Sequence, residues 1–475
     1  MNETLKRYLR YTSWPIIAAM IALMTIGVLA IGVSERADPG LSGQATRQTL
    51  FLGVALAVFV GATIVPYQRV GRLAYALFGL TLAVLVAVLL QEGTRGSRRW
   101  FDLGVIKIQP SEIAKLAYIL ALAWYLRQGD HYRRLRGLAV PFVLTFVPMG
   151  LILYEPDLGT ALLFLPTLYV MLFMAGAKLK HLLLFLAMGA AVLLAPAPRA
   201  VDAGRFAEQR DRFIARTLGP LTYYRVDESL DWSRRPRVPV AYCRVQLAGG
   251  PVYDIQPFSL RVLMKGHQTD RIEGWLRQDD PRVALHEGFQ LRWSLVTLAA
   301  GRVGGRRTED SRYADLLPLA LHQLPDDHTD FIFSVIGGRW GFVGCLVLMA
   351  MYGVIFVFGV EIATITYDAF GRLLAVGVLG LLLTQMFINI GMTMGLMPIT
   401  GMTLPLISYG GSSLVVNSAA LGLLVNVGMR RPILLSQRPF EHGDKREKPA
   451  RFESRGATAG GAPQGPTAAR DGARG

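Results

Sequence analysis

Ten apolar segments recur along this chain, and they restrict its fold more than any other feature. About 20 helical residues cross the hydrocarbon core of a bilayer, which is about 30 Å thick. Several segments are shorter than this, so their helices must extend into the flanking semi-polar sequence. The pattern predicts an all-α polytopic membrane protein of about ten transmembrane helices. The segments are 14–33, 50–65, 73–90, 113–126, 138–154, 160–175, 181–195, 343–362, 373–390 and 413–427.

The charge content agrees with a membrane protein. Only 18% of the 475 residues are charged, whereas soluble proteins carry about 25%. The net charge of +16 is spread over short clusters between the apolar segments and over the C-terminal tail. Because no basic domain gathers this charge, we expect no nucleic acid as a partner. The first segment lacks a clear small-residue cleavage site before Glu35, which favours a span over a signal peptide.

The distribution of Lys and Arg predicts the orientation. If the N-terminus is cytoplasmic, every predicted cytoplasmic connection carries Lys or Arg, as the positive-inside rule requires. An even number of spans then returns the C-terminus to the cytoplasm. The basic residues of these connections are Lys6, Arg7, Arg10, Arg69, Arg72, Arg127, Arg133, Arg134, Arg136, Lys178, Lys180, Arg372, Arg430 and Arg431.

This orientation divides the chain into four parts. Residues 1–197 hold transmembrane helices 1–7, and residues 198–341 form a large extracytoplasmic loop between spans 7 and 8. Residues 342–432 hold helices 8–10, and residues 433–475 are predicted to be a disordered cytoplasmic tail, being charged and then rich in Gly, Ala, Pro and Arg. Within the loop, 198–266 resembles an insertion, and its YYRVDESLDW and VPVAYCRVQL stretches could form short strands or a small subdomain.

One predicted outer loop breaks the positive-inside rule. GTRGSRRWFDLGVIKIQPSE holds Arg95, Arg98, Arg99 and Lys107 on the outer side. A short solvated loop could tolerate this charge, or the count of spans could be wrong by one. Since the flanking loops agree with the count, we favour an anion site at the outer surface.

A second outer motif, LPDDHTDFIF at 324–333, crowds acidic residues just before an apolar segment. A carboxylate at a membrane boundary is partly desolvated, which raises its pKa and makes it a better base. The alternative is a helix N-cap, which Asp and Thr fit well and which the residues alone slightly favour. The two interpretations are compatible for different residues.

Two further outer motifs are ambiguous on their own. YEPDLGT at 154–160 predicts a tight turn between two spans, with Asp157 as the cap of the following helix. GLMPITGMTLPLISYGGSS at 395–413 places glycines and prolines at membrane depth. Such backbone commonly lines a cavity, although close helix packing explains it equally well.

Together these motifs resemble the SEDS family, membrane glycosyltransferases typified by RodA, FtsW and SpoVE. The resemblance covers roughly residues 14–432, and four long motifs occur in the family's order. EPDLGT has Glu155 where the family usually has Gln, and LPDDHTDFIF stands for LPExHTDFIF. The first motif is present as Arg99, Trp100, Asp102, Leu103, Gly104, Gln109, Pro110, Ser111, Glu112 and Lys115.

The resemblance implies a peptidoglycan glycosyltransferase in the bacterial cytoplasmic membrane that joins lipid II into β-1,4-linked glycan on the outer face. It implies Asp330 as the general base of an inverting reaction, with undecaprenyl pyrophosphate as the leaving group. Arg99, helped by Arg98 and Lys107, would stabilise the negative charge of that group. Further expected substrate contacts are Glu112, Lys115, Asp157, His328, Thr329, Ser408, Tyr409, Gly410 and Gly411.

The resemblance also implies a partner, a class B penicillin-binding protein, alongside lipid II, the growing glycan strand and membrane lipids. No cofactor is indicated, although a divalent cation could accompany the substrate pyrophosphate. The alternatives are a flippase for lipid-linked precursors and a non-catalytic scaffold of the elongation or division complex. The near absence of charge within the apolar segments favours chemistry at one face over transport. Between elongation and division, we expect elongation.

The chain departs from the family pattern around the proposed site. Gly338 and Arg339 stand where two acidic residues are usual. GFQLRWSLVTLAAGRVGG has Trp293 in place of a Gln, and Ala299 and Ala300 in place of small or polar loop residues. These changes could tune a partner contact or mark a less active paralogue, but the retained Asp330 favours an active enzyme.

Overall fold

The computed structural model describes part of the chain, and the described residues belong to one compact unit, Met1–Ile433. Arg98 and the predicted disordered tail lie outside them. The described residues are 11–90, 99–102, 107–201, 213–218, 221–226, 243–247, 252–257, 271–272, 274–276, 278, 288–305, 321, 324 and 326–430.

The described residues form twelve α-helices, and each of the ten predicted apolar segments falls on one of them. α3 and α9 are the two helices outside the predicted segments. The helices are α1 (Trp14–Ala37), α2 (Gln44–Ile64), α3 (Tyr67–Arg72), α4 (Ala74–Leu89), α5 (Pro110–Leu126), α6 (Ala139–Tyr154), α7 (Leu158–Ala175), α8 (Leu179–Leu194), α9 (Phe289–Ala300), α10 (Ile332–Ile365), α11 (Ala369–Thr393) and α12 (Gly411–Met429).

Seven stretches of the described residues are long and apolar enough to cross a membrane. Six of them are α1, α2, α7, α10, α11 and α12, and the seventh, Leu135–Tyr154, is α6 with the turn before it. α4 and α8 are apolar but shorter, and α5 has 17 residues that include Glu112 and Lys115. The protein is therefore a multi-pass membrane protein, and the count of ten spans stays a prediction.

The helices pack around α11, which is buried along most of its length. α11 contacts α5, α7, α10 and α12, and α1 packs on α10 while α2 packs on α12. Small residues allow the closest approaches. A Cβ on Gly27 of α1 would lie 2.5 Å from the carbonyl oxygen of Ile407, so only glycine fits there. This places the loop before α12 directly against α1.

α10 is broken near its outer end. Gly341 has φ 67° and ψ −164°, so the helix is interrupted at this residue. A Cβ on Gly341 would lie 2.2 Å from the backbone nitrogen of Gly305, and Phe342 donates its N–H to the carbonyl of Arg302. The turn after α9 therefore docks into the break. Residues 332–340 form a separate short helix beside the outer loops, and the predicted apolar segment 343–362 begins just after the break.

The segment predicted to be an extracytoplasmic insertion contains β-structure, so the protein is mostly helical and the all-α prediction is wrong for this segment. Five antiparallel strands pair in the order β3–β7–β6–β5–β4. The prediction of strands in YYRVDESLDW and VPVAYCRVQL is confirmed for the parts that the structure describes, which are in β5 and β6. The strands are β3 (Pro196–Val201), β4 (Phe213–Leu218), β5 (Leu221–Val226), β6 (Cys243–Leu247) and β7 (Val252–Pro257).

The arginine-rich outer loop contains a short antiparallel pair of strands. β1 (Phe101–Asp102) pairs with β2 (Lys107–Ile108), with Asp102 opposite Lys107 in the register. β2 leads directly into α5. The hairpin therefore sets the distance between Arg99 and the first turn of α5.

Candidate active site

The HTD motif lies in a tight turn held by the SYGG motif. The carbonyl of Asp326 accepts backbone N–H bonds from Thr329 and Asp330. Tyr409 donates its N–H to the carbonyl of His328 at 2.9 Å, and the hydroxyl of Ser408 donates to the carbonyl of Thr329. Two motifs that are about 80 residues apart in sequence thus form one structural unit, and substrate contacts of His328, Thr329, Ser408 and Tyr409 stay a prediction.

The side chains of this unit are ordered by further contacts. Asp327 is buried and accepts a hydrogen bond from the backbone N–H of His328 at 2.6 Å, and its carboxylate lies 3.1 Å from Nδ1 of the same residue. The His328 ring lies 5.5 Å from the Tyr409 ring, centroid to centroid. A Cβ on Gly411 would lie 2.8 Å from the Phe51 ring. His328 and Gly411 therefore have packing roles that account for their residue types.

Asn389 of α11 positions the backbone of Asp330. Its side-chain amide donates to the carbonyl of Asp330 at 2.9 Å and to the carbonyl of Met402. Asn389 is fully buried. One amide therefore fixes both the HTD turn and the loop that precedes α12 to the most buried helix.

Asp330 is a half-buried carboxylate in a charged environment. Its pKa is raised to about 6, mainly by burial and also by the charges of Asp326 and Asp157, while the charge of Arg271 opposes the rise. A Cβ on Gly401 would lie 3.0 Å from Nη1 of Arg271 and 3.3 Å from Oδ2 of Asp330. The guanidinium and the carboxylate therefore lie on the same side of the Gly401 backbone.

The N-cap interpretation of the HTD motif is wrong. The N-cap of α10 is Phe331, and no side chain caps that helix end. Asp330 is thus free of a capping role, which leaves its carboxylate available for chemistry. The corresponding prediction for the EPD motif is confirmed, because Asp157 is the N-cap of α7 and accepts the N–H of Thr160.

Asp157 also joins the first two motifs. Its carboxylate accepts hydrogen bonds from Nε2 of Gln109 at 2.9 Å, from the hydroxyl of Ser111 at 3.2 Å and from the hydroxyl of Thr160 at 2.9 Å. With the helix cap, both of its oxygens accept hydrogen bonds. Asp157 therefore acts on the site through its charge and through the QPS turn that it holds.

Arg99 lies on the EPD turn and lines a pocket. Its Nε donates to the carbonyl of Glu155 at 2.9 Å, and its Nη2 donates to the carbonyl of Pro156. The pocket has an empty volume of about 390 Å³. Its lining residues are Arg99, Pro156, Leu158, Arg271, Ile272, Pro398, Ile399 and Thr400. Two arginines from distant loops thus face one cavity beside Asp330.

Glu112 and Lys115 do not reach this pocket. They form an ion pair of 2.9 Å within α5, with side chains 7% and 1% exposed. Nζ of Lys115 also lies 3.4 Å from Oε1 of Gln385, and Gln385 donates to the carbonyl of Thr403. Both charges are buried in a network that supports the loop before α12, and direct substrate contact by this pair stays a prediction.

The other residues expected at the site are Arg98, Lys107, Thr329 and Gly410. The side chain of Lys107 lies outside the described residues, as does all of Arg98. The N–H of Gly410 faces Oε1 of Gln48 at 3.4 Å. Thr329 donates its hydroxyl to the carbonyl of Asp326 at 3.1 Å.

Two residues of the site were not found from the sequence. Arg271 is one of 50 Lys and Arg residues, and no motif around it distinguishes it. Asn389, by contrast, left a signal, because it and Gln385 are amides four residues apart within a predicted span. Polar groups in such segments are costly and mark function or polar contacts, so this pair could have been predicted to face the site.

Comparison with known proteins agrees with the motifs. The sequence model of the FtsW, RodA and SpoVE family, described as cell cycle protein, matches residues 11–217 and 245–432. The chain belongs to this family. The part between the two matches, 218–244, lies within the predicted insertion, so the family model leaves this part of the FtsW/RodA/SpoVE family member unmatched.

Individual relatives match over nearly their full length. The peptidoglycan glycosyltransferase RodA of Treponema pallidum is 32% identical, over 88% of this chain and 97% of the relative. Peptidoglycan glycosyltransferase MrdB of Escherichia coli K12 is 28% identical, over 87% of this chain and 93% of the relative. Stage V sporulation protein E of Bacillus subtilis is 29% identical, over 81% and 86%.

Solved structures show the same fold. A chain from a study of polymerization and crosslinking by a peptidoglycan synthase complex has a TM-score of 0.62 and 28% identity, and the match covers 88% of this chain and 98% of that one. The crystal structure of the rod shape determining protein RodA of Thermus thermophilus has a TM-score of 0.55 and 26% identity, over 88% and 97%.

Proposed function

We propose that this protein is a peptidoglycan glycosyltransferase that polymerises lipid II at the outer face of the bacterial cytoplasmic membrane. Relatives that bear this activity in their names match over nearly the whole chain. The single observation that carries the proposal is the placement of one carboxylate, Asp330, on the same side of the Gly401 backbone as Arg271, which lines a pocket together with Arg99. A base and two cations are the groups that displacement of a pyrophosphate needs.

Asp330 acts as the general base in this proposal. A sugar 4-hydroxyl is a weak nucleophile until a base removes its proton, and such a base works best when its pKa is close to the ambient pH. The pKa of about 6 at Asp330 keeps the group ionised at neutral pH while making it a stronger base than an ordinary aspartate. Asn389 and the SYGG motif hold it in place.

Arg99 and Arg271 stabilise the leaving group. As the acceptor oxygen forms its bond to the anomeric carbon, the bond from that carbon to the pyrophosphate oxygen breaks, and the hydroxyl proton passes to Asp330. The negative charge that develops on the pyrophosphate meets two guanidinium groups, which bind phosphate oxygens through several donors at once. One displacement inverts the anomeric centre, so the α-linked pyrophosphate yields a β linkage without a covalent enzyme intermediate.

The described residues do not provide a metal site. They contain no cluster of three or more His, Cys, Asp or Glu side chains that could hold an ion, so no step is assigned to a protein-bound metal. A divalent cation carried by the substrate pyrophosphate stays a prediction. For a partner, we propose a crosslinking penicillin-binding protein, because a structural relative comes from a peptidoglycan synthase complex.

Purified protein and lipid II test the proposal directly. We expect the wild type to form glycan polymer and Asp330→Asn to form it about 10²- to 10⁴-fold more slowly, which is the usual contribution of a general base. Glu361→Gln is the matched control, because it removes one exposed carboxylate at the far end of the same helix, α10. It should polymerise like the wild type.

The outcomes separate the alternatives. A flippase would move lipid II across proteoliposome membranes without making polymer, and a scaffold would do neither while still binding its partner. Polymerisation by Asp330→Asn at the wild-type rate would remove Asp330 from the mechanism. A normal melting temperature for Asp330→Asn shows that a loss of activity is not a loss of fold.

A further inference from the structure

Glu155 is a buried carboxylic acid that the proposed mechanism leaves unused. It follows the last residue of α6, it is 0% exposed, and neither of its carboxyl oxygens has a hydrogen-bond partner among the described residues. A buried polar group without a partner costs free energy, and a buried charge costs more. Such a residue calls for a functional explanation, particularly where the family usually has an uncharged Gln.

Two charged groups face Glu155. Arg99, from the outer loop before β1, donates to the backbone carbonyl of Glu155 at 2.9 Å, and its charge acts on the carboxyl. Asp157, two residues along the turn, repels a negative charge on Glu155. Because Asp157 is negative and Arg99 is positive, Arg99 is the one of the two that a charged Glu155 can attract.

Burial keeps this carboxyl protonated near neutrality. Burial is the main cause that raises the pKa of Glu155, to about 8, with Asp157 adding to it and Arg99 opposing it. Below that pH the neutral acid resembles the amide of the usual Gln in shape and charge. Above it, a carboxylate appears beside a guanidinium that lines the pocket.

We propose that Glu155 is a positioning residue that controls Arg99 through its protonation state. Neutral Glu155 leaves the positive charge of Arg99 available to a pyrophosphate in the pocket, whereas ionised Glu155 pairs with Arg99 and neutralises it. This inference rests on the proposed function, since it assigns Arg99 to the pyrophosphate. It gives this chain a loss of substrate affinity at alkaline pH that a Gln at the same position would not produce.

The pH dependence of KM for lipid II tests the inference. In the wild type, KM should rise above pH about 8 by up to about tenfold for each pH unit, as expected when one deprotonation opposes binding. In Glu155→Gln, KM should stay at its neutral-pH value throughout this range. kcat should respond much less than KM, because Glu155 does not touch the reacting atoms.

A second comparison tests whether Glu155 affects KM through Arg99. In an Arg99→Gln background, Glu155→Gln should cause no further change in the pH profile of KM, because there is no longer a guanidinium to neutralise. Arg36→Gln, an exposed cation at the outer end of α1, is the matched control for loss of one positive charge. It should keep the wild-type alkaline rise in KM.

The outcomes distinguish failure of this inference from failure of the proposed function. If the wild type forms no polymer under any condition, the proposed function fails. If the wild type polymerises and Glu155→Gln keeps the same alkaline rise in KM, the inference is overturned while the function stands. A merely structural role for Glu155 would change the melting temperature of the variant and leave the pH midpoint of KM unmoved.

Discussion

Asp330 is surrounded by charges of opposite sign that should tune its pKa in opposite directions. Burial makes the largest contribution to its raised pKa of about 6, Asp326 raises it further and Arg271 lowers it. Because the free carboxylate is the active base, activity should fall as pH decreases through this value. The acid limb of kcat therefore reports directly on the environment of one side chain.

Substitutions of Asp326 and Arg271 should shift the acid limb of the kcat–pH profile in opposite directions. Asp326→Asn removes a repelling charge, so the limb should shift below the wild-type midpoint of about pH 6. Arg271→Gln removes an attracting charge, so the limb should shift above it. Asp326 has a positive φ of 55°, a conformation that Asn tolerates well, so the first variant should fold. Polymerisation rates at saturating lipid II over a pH series measure both shifts.

Shifts of the same sign in both variants would contradict this electrostatic account. Glu361→Gln again serves as the control, since its distant charge should leave the midpoint in place. A lower affinity of Arg271→Gln for lipid II is expected in addition, because Arg271 lines the pocket, and saturation of substrate separates that effect from the shift in kcat.

At the scale of single residues, the sequence pointed to those candidate site residues that lie in recognisable motifs. Asp330 and Arg99 could be predicted because HTDFIF and the arginine-rich loop are recognisable as strings. Arg271 could not, because its importance arises from a fold that returns it to Gly401. The raised pKa of Glu155 was also beyond the sequence, since it depends on how completely α6 and its neighbours exclude water.

At the scale of elements, the sequence predicted the helices better than it predicted their ends. Apolar segments of helical length identify α1 and α11 because burial in lipid requires little else of them. The start of α10 was misjudged, because acidic residues before an apolar segment are typical of N-caps and equally typical of this turn. The stretches that hold β5 and β6 were predicted as possible short strands or a small subdomain, but nothing local shows the order in which five strands pair.

α11 carries the amide that holds the HTD turn, and its removal should be costly. Asn389→Ala leaves the carbonyls of Asp330 and Met402 without this donor, at about 1–3 kcal/mol for each buried group left unsatisfied. We expect a lower melting temperature and, because a displacement of about 1 Å at a reacting group can cost about 100-fold, a kcat reduced by about that factor. Thermal unfolding and lipid II polymerisation of the purified variant measure the two effects.

Thr384→Ala is the matched control on the same helix. Its hydroxyl donates to the carbonyl of Gly380 within α11, so its loss removes a hydrogen bond without releasing the catalytic turn. It should retain the wild-type kcat. Equal losses of kcat in the two variants would mean that α11 responds to any polar deletion and that Asn389 has no special relation to Asp330.

For the whole molecule, the site exists only where four distant loops meet at one end of the helical bundle. Asp157 bonds to the QPS turn, Tyr409 bonds to the HTD turn, and Arg99 bonds to the EPD turn. This arrangement requires all four motifs on the same side of the membrane, which the positive-inside rule places outside. If an odd number of membrane spans lay between two of these motifs, the motifs would be on opposite sides of the membrane. The site can therefore form only in a topology that keeps all four motifs on one side.

The predicted orientation can be checked with single cysteines in a variant that lacks Cys243 and Cys345. Exposed positions are available on both predicted sides: Arg36 in the last turn of α1 and Leu90 after α4 for the outside, and Arg72 and Arg134 for the cytoplasm. We expect the first two to react with a membrane-impermeant maleimide in intact spheroplasts, and the other two to react only after permeabilisation. α4 has 16 residues and is therefore the decisive case, because a helix of that length just spans a thin bilayer. If a cysteine at position 90 were protected until permeabilisation, α4 would not cross the membrane, and Arg99 would be on the opposite side from the pyrophosphate that it is proposed to bind.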